Sequence, residues 1–166
     1  MNITFNVSWL PSLIKYDSSK NNFNEYIEAI YEYFKQDFIY TKPKFNGQEL
    51  SLKKYPIRDG KEATFYHITT EGDDEENRKF DLERCERIRW SKPIIESDYV
   101  GLKIWENKRG KDENILIWFD NVEYLIILRK RKTYNIFWTA YPVTEDHRKI
   151  KLQKEYEKFI KAKTAP

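Results

Sequence analysis

The chain has 166 residues and a net charge of +3; a third of it is charged, and it carries 12 Tyr, 10 Phe and 5 Trp against only 5 Gly and 6 Pro. This length and aromatic load exclude a disordered or low-complexity polypeptide and predict one domain, residues 1–166, with a real core. The single cysteine, Cys85, excludes an intrachain disulfide and a cysteine-based zinc site, and it points to a reducing compartment, the cytoplasm.

In chain order, the first element is a short alternating segment, Ile3 to Trp9. The N-terminus lacks a basic region followed by an apolar core, so no secretory signal is expected. The apolar runs are too short to span a bilayer, so no membrane contact is expected either. Asn22 and Glu25 have the spacing of a capping box. Phe23, Ile27, Ile30, Phe34 and Phe38 then recur at helical spacing, predicting an amphipathic helix over residues 23–38. Residues 41–62 are polar, with two prolines and two glycines, and read as a connection with a short strand at Leu50–Lys54. Residues 1–62 thus form a helical and connecting part, and residues 63–166 the sheet and terminal helix.

Ala63–Thr69 is an apolar run that reads as a buried strand carrying His67. The acidic residues Glu71 to Glu76 follow in a loop. Leu82–Trp90 reads as a short helix running into an extended segment before Pro93. Val100, Leu102 and Ile104 alternate with Gly101, Lys103 and Trp105, a strand period. Ile115–Phe119 and Tyr124–Arg129 flank the turn residues Asp120 and Asn121, and a further strand follows at Ile136–Tyr141. These three strands predict an antiparallel meander. A last helix starts near Thr144, with Leu152, Tyr156, Phe159 and Ile160 as its buried stripe and lysines on another face. The order predicts an α+β layer architecture.

The residues able to carry chemistry are spread along this map. An imidazole takes and returns a proton near neutral pH, which makes His67 a candidate proton shuttle; the alternative is a core histidine bonded to backbone. Arg84, Arg87 and Arg89 can bring two guanidiniums onto one phosphate, or pair with Asp81, Glu83 and Glu86 on a solvated face. Arg129 and Arg131 share a strand parity, as do Thr139 and Tyr141 on the next strand. Whether the two pairs share a side depends on the register. Arg129 to Lys132 form a basic turn suited to a nucleic-acid backbone, or a solubilising hairpin tip. His147 lies in the first turn of the last helix, where an anion is favoured; it is a second proton-transfer candidate or an exposed helix residue. Lys151 and Lys154 on that helix can extend a basic track. No phosphate-cradling glycine loop, dinucleotide fingerprint or histidine–cysteine ligand spacing occurs, so neither metal nor other cofactor is expected.

Three blocks carry a resemblance: Thr64–Gly72, Asp81–Trp90 with Pro93–Glu96, and Trp138–Val143 before Lys151–Tyr156. Over residues 60–156 the chain resembles bacterial and phage-associated proteins near the barnase–EndoU–colicin–RelE-like fold of metal-independent ribonucleases. The resemblance implies a helical N-terminal part on a four- to five-stranded antiparallel sheet, with the active site on the open sheet face. His67 would match a strand histidine, Arg87 or Arg131 a phosphate-binding arginine, and Thr139 with Tyr141 the hydroxyl positions near the last strand. The chain lacks the glutamate–arginine–histidine order of barnase itself. The expected activity is a toxin-like endoribonuclease acting on tRNA or mRNA, catalysed by His67, Arg87, Arg131, Thr139, Tyr141 and His147. Arg84, Arg89, Arg129, Lys132, Lys151 and Lys154 would bind substrate. A neutralising antitoxin or immunity protein is the expected protein partner. A non-catalytic RNA- or protein-binding module is the other reading.

Overall fold

The structure is a computed structural model that describes residues 7–165. The strand-like segment expected from Ile3 lies largely outside them, and its described end, residues 7–10, is a turn. Helix α1 spans Phe23–Lys35. Asn22 caps it: its side-chain oxygen accepts from the Glu25 N–H at 2.9 Å, and its amide donates to the Glu25 carboxylate at 2.7 Å. Replacing Asn22 with alanine orphans that N–H, so urea unfolding should show a loss of about 1 kcal/mol. One π turn, Gln36–Tyr40, prolongs the helix and keeps Phe38 buried below Ile27, Ile30 and Phe34.

The connection holds a hairpin of β1, Lys44–Phe45, and β2, Gln48–Glu49, then β3, Ser51–Leu52. Next comes a difference from expectation. Ala63–Thr69 is a helix, α2, not a strand. Periodicity cannot separate the two in so short and so largely buried an apolar run. Here Phe65 and Ile68, three apart, enter the core. The hydroxyls of Thr69 and Thr70 donate to the carbonyls of Phe65 and Tyr66 at its end. Strands β4, Thr70–Glu71, and β5, Lys79–Phe80, pair around the acidic loop.

Helix α3, Leu82–Glu86, is as expected, but the extended segment before Pro93 is not. Pro93 sits in the first turn of another helix, α4, Ser91–Glu96, where its missing N–H has no intrahelical partner to lose.

The main sheet follows: β6, Lys103–Arg109; β7, Asp112–Phe119; β8, Tyr124–Lys130; and β9, Asn135–Pro142. The first strand begins later than the alternation from Val100 suggested; Val100 itself is 96% exposed. The β7–β8 link is a 3₁₀ turn, Asp120–Val122, closed by Glu123 at φ +58°. Strand order is β3-β9-β8-β7-β6. The four long strands form the expected antiparallel meander, but β3 joins the edge of β9 in parallel, so the sheet is mixed. The last helix, α5, runs Asp146–Thr164 with Glu145, not Thr144, at its N-cap.

The alternation along the strands sorts two cores. Ile115, Ile117, Phe119, Tyr124, Ile126, Leu128, Phe137 and Ala140 meet α1, α2 and α4 on one face. Trp105, Leu116, Trp118, Leu125, Val143 and Leu152 form a smaller cluster under α5 on the other. The result is a helix-covered α+β sheet with N- and C-terminal helices. No helix among the described residues is long and apolar enough to cross a membrane.

Candidate nucleic-acid interface

The α5 face of the sheet is only partly covered. Helix α5 is anchored towards β6: Trp105 Nε1 donates to Glu155 at 2.9 Å, and Lys103 Nζ reaches Gln153 at 2.5 Å. Over β8 and β9 the helix stands away and leaves a cleft of about 520 Å³. Leu116, Leu125, Ile127 and Val143 make its apolar floor. Tyr141, His147, Arg148, Lys151 and Arg109 supply polar and basic walls, with Glu155 at one end.

Register decides what the floor presents. Tyr141 is opposite Leu125 and Thr139 opposite Ile127. Leu125, Ile127 and Arg129 alternate to one side, so Thr139, Tyr141 and Arg129 share a face. Trp138 sits at a bulge between the Thr139 and Phe137 pairings. Such a bulge re-aims a side chain. The Trp138 ring meets the Arg129 guanidinium at 3.7 Å, the Lys53 ammonium at 5.1 Å and the His67 ring at 5.3 Å.

Tyr141 is the meeting point of two more cations. The Arg84 guanidinium lies 4.9 Å from its ring centroid and that of Arg148 5.4 Å away. Helix α3 aims Arg84: Asp81 caps the helix by accepting from the Arg84 N–H at 2.9 Å. The Arg84 side chain then donates to the His67 carbonyl at 3.1 Å. Thr139 Oγ1 donates to the same carbonyl at 3.0 Å. Burial and the neighbouring Arg78 push the Arg84 guanidinium below its ordinary value, and Asp81 opposes them; a guanidinium stays charged in either case.

His67 itself is buried at the end of α2. Its Nε2 meets the Glu75 carboxylate at 3.1 Å, and its Nδ1 has no hydrogen-bond partner among the described residues. Burial is the main cause holding its pKa below the usual 6.5; Glu75 opposes this, while Lys53 and Arg78 add to it. A depressed histidine pKa means that the unfolded chain binds the proton more readily. The contribution of neutral His67 is therefore complete above about pH 6.5 and is lost as pH falls through the lower folded value. Thermal melts should show a larger drop from about pH 7.5 to about 5.5 in the native protein than in His67→Gln.

The other expected site residues divide. His147 and Lys151 line the cleft. His147 is 79% exposed and pairs with Glu145 at 3.1 Å. Arg87 and Arg89 are not there. Arg87 is buried against Trp90 and donates to the Glu83 carbonyl, and Arg89 pairs with buried Asp37 at 3.1 Å beside the π turn. Their predicted convergence fails because α3 ends at Glu86 and the chain turns before α4. Arg129 and Arg131 are both drawn to Asp112, at 3.5 and 4.0 Å. Arg129 also donates to Asn114, whereas Arg131 lies past the end of β8. Lys132 and Lys154 are exposed and line no part of the cleft. Sequence reasoning missed Arg109 and Arg148. Arg148 had a signal: it follows His147 in the first turn, three residues before Lys151, a helical spacing that puts both on one side. Cys85 is buried, its thiol pushed up to about 12 chiefly by desolvation, so it is no nucleophile. Among the described residues no three His, Cys, Asp or Glu side chains are grouped to hold a metal ion.

Comparison with known protein families, with curated proteins and with solved structures finds no match.

Proposed function

We propose that the protein is a toxin-like endoribonuclease that works without a metal in the cleft between β8, β9 and α5. The observation that carries this reading is Tyr141, which lines a concave, largely basic site with Arg148 over its ring, while the Arg84 guanidinium meets the same ring from outside the cleft lining. A hydroxyl and fixed positive charge are there together, which is what a phosphodiester passing through a dianionic transition state requires.

His147 takes the proton of the ribose 2′-hydroxyl, and that oxygen bonds to the adjacent phosphorus. The bond from phosphorus to the 5′-oxygen breaks, and the leaving oxygen takes up the proton that His147 accepted, which returns the imidazole to its neutral form. The products are a 2′,3′-cyclic phosphate and a 5′-hydroxyl end. Arg84, Arg148 and Lys151 stabilise the charge, and Thr139 and Tyr141 position the phosphate. The substrates in this reading are tRNA or mRNA in the cytoplasm, and a neutralising antitoxin or immunity protein restrains the activity.

A second reading, an RNA-binding module without catalysis, is favoured by one observation: the other imidazole, His67, is buried and bonded to Glu75. Incubation of labelled RNA in EDTA separates the two. Cleavage to cyclic-phosphate ends, abolished in His147→Ala and weakened in Tyr141→Phe, supports the enzyme. Binding that weakens with salt, without cleavage, supports the module. Neither cleavage nor salt-dependent binding removes both.

A further inference from the structure

We propose that His67 forms the base of a second phosphate site, separate from the cleft and beside β9, whose resting occupant is the carboxylate of Glu75. Glu75 caps the imidazole from outside: its two oxygens lie 3.1 and 3.4 Å from Nε2, its own side chain is 59% exposed, and that of His67 is only 7% exposed.

Two cations, Arg78 and Lys53, act on the capped imidazole. Arg78 donates from Nε to Thr70 Oγ1 at 2.8 Å, and from its terminal nitrogens to the carbonyls of Gly72 at 2.7 Å and Thr70 at 2.6 Å. All these acceptors are uncharged, and they fix the guanidinium without neutralising it. Lys53 lies over Trp138 and has no carboxylate within ion-pair distance among the described residues. Both cations act electrostatically on His67, and both favour its neutral form. A neutral imidazole bonded to a carboxylate carries its proton on Nε2 and donates it. That donor serves any oxyanion, and among the described residues Glu75 makes hydrogen bonds only through this contact and through Arg58, which donates to its backbone carbonyl at 2.7 Å. Its loop also carries Asp73, Asp74 and Glu76, whose charge opposes the approach of another anion.

A phosphate placed where the Glu75 carboxylate sits keeps the bond to Nε2 and lies in the field of the Lys53 and Arg78 cations that act on the imidazole. The Thr139 hydroxyl bonds the His67 carbonyl, so the site adjoins the hydroxyl row of β9. The ligand is a backbone phosphate of the RNA lying on that face; this identification rests on the RNA reading above. Glu75 then has to leave before the strand can seat.

The test uses the full chain at neutral pH with two probes: inorganic phosphate, and a 2′-O-methyl oligoribonucleotide that cannot be cleaved by 2′-hydroxyl attack. Imidazole nitrogen NMR reads His67 directly. Both probes should move the His67 signal and the Glu75 amide saturably. Glu75→Gln, which keeps the shape and removes the charge, should bind the oligonucleotide about fivefold more tightly, and Asp73→Asn should do less. Oligonucleotide binding that leaves the His67 signal unmoved and is unchanged in Glu75→Gln overturns the proposal and leaves the RNA reading intact. Phosphate binding at His67 without oligonucleotide binding removes the RNA reading and supports the phosphate site. Binding of neither probe overturns both.

Discussion

On the ribonuclease reading proposed above, Arg148→Ala is expected to slow RNA cleavage about a hundredfold, the usual cost of removing one well-placed charge donor from a developing oxyanion. Arg148 is exposed in the first turn of α5, and its guanidinium lies over Tyr141 on the open side of the cleft. Among the described residues it has no ion pair to lose, so the unfolding midpoint should stay within a degree or two of the native protein. Arg148→Lys should recover part of the rate, because it restores the charge but not the planar fork. Arg87→Ala gives the contrast. Arg87 is packed against Trp90 and tied to Glu83, so its loss should lower stability with no specific effect on the chemical step. Single-turnover cleavage measured beside thermal melts distinguishes the two patterns. A native rate in Arg148→Ala would remove the cleft as the catalytic site.

Phe137→Ala is expected to cost about 3–5 kcal/mol, the largest stability loss from any single truncation near the site. Phe137 is fully buried and stacks on Phe38 of the π turn at 4.7 Å. Its backbone is opposite Leu52, where β3 joins the edge of β9, and its carbonyl accepts from the buried Thr64 hydroxyl at 3.4 Å. One residue therefore joins the π turn, α2 and the strand that carries Thr139 and Tyr141. For a chain of this size the melting midpoint should drop by about 10 °C. Phe137→Leu, which leaves a much smaller cavity, should lose less than half as much. Differential scanning calorimetry checks both, and RNA binding by the alanine variant should disappear with the fold and not before it.

The elements that were legible in the amino-acid order are those with long, unambiguous periods. Asn22, Glu25 and the Phe23 to Phe38 stripe mark α1, and the alternation through β7, β8 and β9 marks the meander. Short segments were not legible. Ala63–Thr69 is seven residues, long enough for one strand or two turns of helix, and only the core against which Phe65 and Ile68 pack selects the helix. Pro93 signalled a break but stands where a helix accepts it. The parallel β3 contact was invisible because it pairs two residues with a strand far along the chain.

The site divides in the same way. Strand parity put Thr139 with Tyr141, and the helix-start signals near Thr144 placed His147 in a first turn. Which cations meet them was decided by tertiary structure. The β8–β9 register and its bulge bring Arg129 to Trp138. The short reach of α3 sends Arg84 to Tyr141 while Arg87 and Arg89 turn to Trp90 and Asp37. Local order determines periodicity, caps and charge, since these depend on near neighbours. The burial of His67, the carboxylate that caps it and the opening beneath α5 arise from contacts between residues distant in the chain. Packing chooses among such contacts after local preferences have been met.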